Sequence, residues 1–311
     1  MTGLPTQRAC QLQALPAERR WLIEGLWAHQ GVGIVGGEPK CYKSFLALDI
    51  AVAVASGADC LRRYRVAHRG PVLLFAAEDA LHTVRQRLEG IARAADADFA
   101  ELDIHVITAS TVRLDLPDDR QRLHDTVAAL RPRLLVLDPF VRLHRIDENA
   151  AAEVAPLLAY LRELQRQFHA AVLLVHHARK GGHARAGQAL RGSSELHAWG
   201  DSNLYLRRER EQLWLSIEQR AAASTAALAA ELHADGEALA LRILDRQPPT
   251  LHATPKPAER ILAALASTSE PMTRRALRDA CRIRTASVGE ALAVLIDQGA
   301  VVERADRYTI A

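Results

Sequence analysis

Lysine is scarce in this chain of 311 residues: of 40 basic residues only Lys40, Lys43, Lys180 and Lys256 are lysines, and the other 36 are arginines. A general bias toward Arg and Ala accounts for the ratio, and it draws attention to the few positions where lysine persists. Cysteine is scarce as well. Cys10, Cys41, Cys60 and Cys281 stand at wide, irregular intervals. They form no Cys-x-x-Cys pair and no Cys/His spacing suited to a tetrahedral metal, which excludes a disulfide scaffold and a zinc module. They read as reduced thiols, and the expected location is the cytoplasm. Long apolar runs are missing too. The most apolar helical stretch, Phe45 to Ser56, is short and carries Asp49, and the N-terminus lacks a charged-then-apolar leader pattern, so neither a membrane span nor a signal peptide is expected. Aromatics make up only 5% beside 49% hydrophobic and 25% charged residues, a globular composition rather than a disordered or collagen-like one. A net charge of +3 is too small for a global nucleic-acid footprint, although a balanced total can conceal a local basic stripe.

The length suggests about two domains. Short apolar runs mark the first part: Val32 to Val35, Val72 to Phe75, Ile104 to Ile107, Leu134 to Leu137 and Val172 to Val175. Their residues are apolar in succession rather than in alternation, which suits strands buried on both faces of a sheet. Helix-like segments lie between them, at Ser44 to Ser56, Ala80 to Ala94, Asp118 to Leu130 and Ala150 to Phe168. Alternating strand and helix predicts an α/β fold with a mainly parallel sheet flanked by helices. Two later runs, Asn203 to Leu206 and Leu213 to Glu218, and the stretch Leu228 to Leu244 with its Asp235-Gly236 turn, read as antiparallel strands appended to that sheet. The segment QPPTLHATPKP holds four prolines in eleven residues, so a linker is placed at 248–257, between a domain at 1–247 and a small C-terminal domain at 258–311.

One loop carries clear chemistry. The run VGIV leads into GGEPKCYKS and then into the apolar segment FLALDIAVAVASG. Strand, Gly-containing loop, Lys-Ser and helix form the setting of a phosphate-binding loop, in which backbone N–H groups and a helix N-terminus cradle an anionic phosphate chain. The candidate nucleotide contacts are Gly37, Glu38, Pro39, Lys40, Cys41, Tyr42, Lys43, Ser44 and Phe45. Lys43 would reach the β- and γ-phosphates and Ser44 would bind Mg²⁺. Tyr42 stands where the GxxxxGK[ST] pattern asks for Gly, so its ring must either weaken binding or point out of the loop. LLVLDP ends a buried run in Asp138, suited to the Mg²⁺ shell, and VLLFAAED places Glu78, with Asp79 as its competitor, where a carboxylate can orient attacking water. AVLLVHHARK ends in His176-His177, a polar pair leaving a buried strand; His177, or alternatively His176, would sense the γ-phosphate.

In this order, Gly37 to Ser44, Glu78, Asp138 and His177 resemble RecA-like P-loop ATPases, and within them the plasmid RepA-type hexameric helicases and related ATPases of mobile elements. The resemblance spans roughly residues 18 to 245. It includes WLIEGLWAHQGVGIVGGEPKCYKS, LDPFVRLHRIDEN and HHARK followed by LRGSSEL. It implies a RecA-like fold, ATP and Mg²⁺ as ligands, and a ring, expected as a homohexamer, in which an Arg from the next protomer completes the site. Arg191 or Arg220 is the candidate for that role. It also places a DNA-facing channel loop near Arg179, Lys180 and Arg185, although that loop has no aromatic for base stacking. The C-terminal sequence resembles a winged helix. Between residues 271 and 286 it gathers Arg274, Arg275, Arg278, Arg282 and Arg284 against Asp279 alone, a basic patch for duplex DNA or, equally, a protein-interaction module. The leading expectation is Mg²⁺-dependent ATP hydrolysis driving a helicase or translocase in replication or mobilisation of a plasmid-like element. A nucleotide-responsive regulator with little turnover, or a filament-forming recombination mediator, are the alternatives.

Overall fold

The computed structural model describes residues 4–12, 16, 19–177, 194–209, 211–222, 225–236, 238–245, 257–268, 270–281 and 283–311. The chain divides into two compact units, Met1–Pro248 and Pro249–Ala311.

In the first unit a short hairpin, β1 (Trp21–Ile23) and β2 (Trp27–Ala28), precedes β3 (Val32–Gly37). Then follow α1 (Lys43–Ser56), β4 (Val72–Ala76), α2 (Leu81–Ala94), β5 (Ile104–Val106), α3 (Pro117–Leu130), β6 (Leu134–Asp138), α4 (Ala151–Phe168) and β7 (Ala171–His177). A short α5 (Ser194–Trp199) leads to β8 (Ser202–Glu209), β9 (Gln212–Gln219), β10 (Leu228–Asp235) and β11 (Ala238–Leu244). These form a nine-stranded sheet in the order β11-β10-β9-β8-β3-β7-β6-β4-β5.

The run from β8 to β5 is parallel, and β9 to β11 continue it antiparallel. This corrects the expectation for Asn203 to Leu206, which was to be one of the antiparallel strands: β8 pairs parallel with β3 and turns antiparallel only toward β9. Two glycines explain why it can lie there. A Cβ on Gly33 would sit 1.7 Å from the Ser202 carbonyl oxygen, and one on Gly37, at φ 156°, would sit 2.3 Å from that of Leu206. The run Ile104 to Ile107 is also less buried than expected, because β5 is the sheet's edge and pairs only with β4.

Alternate residues of each strand enter two hydrophobic layers. Val35, Leu74, Val136 and Leu173 pack on the α1 and α2 side, while Ile34, Leu73, Leu135 and Leu174 pack on the α3 and α4 side. α1 is the most buried of the described helices, in keeping with a sequence that is apolar between its first turn and Ala55 except at Asp49. Its buried Asp49 accepts from the Leu61 amide (2.7 Å) and the Cys60 thiol (3.4 Å) and pairs with Arg62, fastening the loop after the helix.

The second unit holds α6 (Pro257–Ala266), β12 (Met272–Thr273), α7 (Arg274–Cys281), α8 (Thr285–Asp297), β13 (Val301–Arg304) and β14 (Arg307–Ile310). Its three strands pair antiparallel in the order β12-β14-β13, and its own core surrounds Ile261, Leu277, Leu292 and Tyr308. No helix among the described residues is long and apolar enough to cross a membrane.

Candidate active site

The C-terminal ends of four neighbouring parallel strands converge on one edge. Gly37 of β3 lies in register with His177 of β7, and Ala76 of β4 with Asp138 of β6. A parallel sheet with helical crossovers leaves a crevice at this edge, where the loops separate. Here the crevice collects Lys43, Ser44, Glu78, Asp138 and His177.

The loop between β3 and α1 has two residues in the left-handed region, Lys40 (φ 63°) and Tyr42 (φ 61°). Tyr42 immediately precedes the first helical turn, and its ring meets Phe45 edge-on at 6.2 Å between centroids. The Arg208 guanidinium at the end of β8 covers the ring at 5.1 Å. The aromatic side chain is thus engaged by Phe45 and Arg208. Phe45 is itself covered by Arg87 at 5.1 Å, and Arg87 is held by Asp79 at 2.5 Å. Asp79, the alternative to Glu78, therefore has a packing partner of its own.

Lys43 is buried, and its Nζ donates to the Glu38 carbonyl oxygen at 2.8 Å. Burial lowers its pKa, against the opposing pull of Cys41, Asp138, Glu78 and Glu38. Asp138 is buried at the end of β6, which pushes its carboxyl up to about 6 despite a hydrogen bond from the Ser44 hydroxyl. The Asp138 carboxylate and Ser44 hydroxyl offer two oxygen donors of the kind a hard divalent cation takes, while the Lys43 ammonium suits phosphate oxygens rather than the cation. Ser44 and Asp138 would hold Mg²⁺, which when bound would neutralise charge on the phosphate oxygens. Glu38, Pro39, Lys40 and Cys41 complete the loop, and burial raises the Cys41 thiol, so it is an unreactive member of it.

Glu78 is more exposed than its partners and accepts from Arg142 Nε at 2.8 Å. Arg142 belongs to the turn that follows Asp138, and sequence reasoning missed it. A second omission lies deeper. His144 and His176 are buried beside Phe140, at 4.5 and 6.1 Å between ring centroids, and His144 Nε2 lies 3.3 Å from Glu148 Oε1. The two atoms approach closely without a well-directed hydrogen bond between them. Burial raises the Glu148 carboxyl, but His144, His176 and His177 together hold its pKa below the ordinary value. The polar residues of LDPFVRLHRIDEN carried this signal, because histidine and glutamate inside an apolar turn need partners.

Arg191, Arg179, Lys180 and Arg185 lie outside the described residues. Arg220 sits at the opposite edge of the sheet, following Gln219, which pairs with Ser202 at the start of β8. There it pairs with Asp201 at 3.5 Å and donates to the Ala198 carbonyl. Within one chain it does not join the phosphate loop. In the C-terminal unit Arg275 and Arg284 are exposed, Arg274 donates to the Tyr308 hydroxyl at 2.6 Å, and Arg278 pairs with Asp279.

The AAA domain family matches residues 2–183, more than half of the chain and the whole stretch from the hairpin to the paired histidines. The chain belongs to this family. A solved structure shares its fold: the KaiC-like protein of the hyperthermophilic archaeon Pyrococcus horikoshii OT3 superposes with a TM-score of 0.51 at 13% identity, covering 72% of this chain and 93% of that one. The first unit of this AAA-domain protein is accordingly a RecA-like P-loop ATPase.

Proposed function

We propose that this AAA-domain ATPase hydrolyses ATP with Mg²⁺ in a ring-shaped homohexamer on DNA and works as a helicase or translocase, in replication or mobilisation of a plasmid-like element. The observation that carries the nucleotide half is the meeting of Lys43, Ser44, Asp138, Glu78 and His177 at one sheet edge. Lys43 and the first turn of α1 bind the phosphates, and Ser44 and Asp138 orient the cation. Glu78 positions the attacking water once it leaves Arg142, and His177 reports the γ-phosphate. An arginine from a neighbouring protomer, Arg191 or Arg220, completes charge stabilisation. The DNA half rests on the exposed Arg275 and Arg284, with Arg274 and Arg278 beside them, in a unit whose three helices and three-stranded sheet match a winged helix in element order. Arg179, Lys180 and Arg185 would supply the single-strand contacts.

Turnover measured with and without single-stranded DNA, for the wild type and Lys43→Ala, is the test. DNA-stimulated hydrolysis that disappears in the variant supports the motor. A second reading, a nucleotide-responsive regulator, draws on the Glu78–Arg142 pair, which engages the candidate water-positioning carboxylate. Tight ATP binding with no turnover, with or without DNA, would favour it.

A further inference from the structure

The edge of the sheet opposite the phosphate loop gathers a second set of charges. The loops leading into four consecutive strands, β3, β7, β6 and β4, contribute His29 and Gln30, His169, Arg133, and His68 in that order. The His29 and His68 rings lie 4.5 Å apart between centroids. The Gln30 amide bridges two loops: its Nε2 lies 3.2 Å from His29 Nε2, and its Oε1 lies 3.3 Å from His169 Nδ1. A donating amide leaves the His29 proton on Nδ1. Among the described residues, that atom, His68 Nε2 and Arg133 Nε are all buried without a hydrogen-bond partner. Arginine Nε is an obligate donor and His29 Nδ1 is a donor in this tautomer, so two buried N–H groups lack an acceptor. Among the described residues, the charges acting on His29 come from His68, Arg133, Arg19 and His169, and those on His68 from Arg133 and Arg19, with no carboxylate among them. Burial and these neighbours bring His29 down to about 4, so both rings are neutral near pH 7.

We propose that this junction binds a tetrahedral oxyanion, a phosphate or sulfate group, between His29, His68 and Arg133, with Arg19 and His169 at its rim. The anion supplies the acceptor that the buried donors lack and the negative charge that the cluster lacks. It also reverses the electrostatics of the histidines, so binding takes up protons and tightens as pH falls. The site is independent of the nucleotide loop, which lies at the other edge.

Sulfate titrated calorimetrically into full-length Lys43→Ala protein reads this site without the cation of the nucleotide loop. Sulfate remains a dianion between pH 6 and 8, so a pH effect belongs to the protein. The expected result is one sulfate per chain, bound at least tenfold tighter at pH 6 than at pH 8, with proton uptake seen as a difference between buffers of unlike ionisation enthalpy. Arg133→Gln and the pair His29→Gln with His68→Gln each weaken sulfate at least tenfold, and in an otherwise wild-type chain leave ATP affinity unchanged. A ten-nucleotide oligothymidylate separates the two sources of the group: competition with sulfate assigns a nucleic-acid phosphodiester, and its absence a free oxyanion. If sulfate fails to saturate, or binds equally well to the glutamine variants, the proposal is overturned and water satisfies these donors.

Discussion

Tyr42 shows how a single residue can depart from a motif and still be accommodated. Its left-handed backbone costs about 1–2 kcal/mol for a residue with a Cβ, and the contacts with Phe45 and Arg208 return about 0.5–1 kcal/mol each. Tyr42→Gly removes both the strain and the contacts and should leave stability within about 1 kcal/mol, whereas Tyr42→Ala keeps the strain without the contacts and should melt lower than either. Thermal unfolding without nucleotide gives the order, and a melting point for the alanine variant above that of the glycine variant would reject it. Lys43 is the complementary case. In a chain that uses arginine nearly everywhere else, a buried ammonium donating to the Glu38 carbonyl occupies a space that a planar guanidinium does not fit. Lys43→Arg should lower turnover roughly 100-fold or more, the scale seen when one preorganised charge contact is removed, as a steady-state phosphate-release assay would show. His29 sets a pH dependence of stability. Its folded pKa near 4 lies below the ordinary 6.5, so on acidification the unfolded chain takes up the proton first. The stability it contributes is complete above pH 6.5 and is lost as pH falls toward 4. His29→Gln should flatten the urea midpoint across that window.

Among the elements, Asp49 of α1 joins the helix to the loop that follows it. Removing it in Asp49→Ala leaves Arg62 and the Leu61 amide without their acceptor, and should cost about 3–5 kcal/mol in a urea titration. In the sequence Asp49 argued only against a membrane helix; the partner that explains it comes 13 residues later, from a loop without a periodic pattern. The same contrast holds elsewhere. β3, β4, β6 and β7 were legible because strands buried on both faces must be apolar throughout, and the phosphate loop was legible because its chemistry is local. The partner of β8 was not, since its place beside β3 depends on the space that Gly33 and Gly37 leave for the Ser202 and Leu206 carbonyls and not on the strand's own composition. Arg142 was missed for a related reason: its partner Glu78, just after β4, lies distant in sequence but beside it in space, whereas His144 and Glu148 are only four residues apart and their signal was local and overlooked.

At the scale of the molecule, the two units carry separate cores, and every described residue of the candidate ATPase site belongs to the first. On the proposed DNA reading, a chain ending at Pro248 should retain nucleotide binding, whereas its affinity for DNA should fall at least tenfold and the salt dependence of that affinity should become shallower by about one unit of log–log slope per lost phosphate contact. Fluorescence anisotropy across a salt series measures both, and an unchanged slope would remove the C-terminal arginines from the DNA contact. The order of the strands also has a consequence for how the protein is made. The neighbours of β3 are β7 and β8, and the carbonyl that closes on Gly37 belongs to Leu206, about 170 residues downstream. At roughly 5–20 residues per second on the ribosome, about 10–35 seconds separate synthesis of the phosphate loop from arrival of the strand that braces it. The nascent chain thus passes through a long interval with its central strand unpaired, closed on one side by β7 and only then on the other by β8, so the phosphate loop is the first part of its site to be made and its flanking strands are the last.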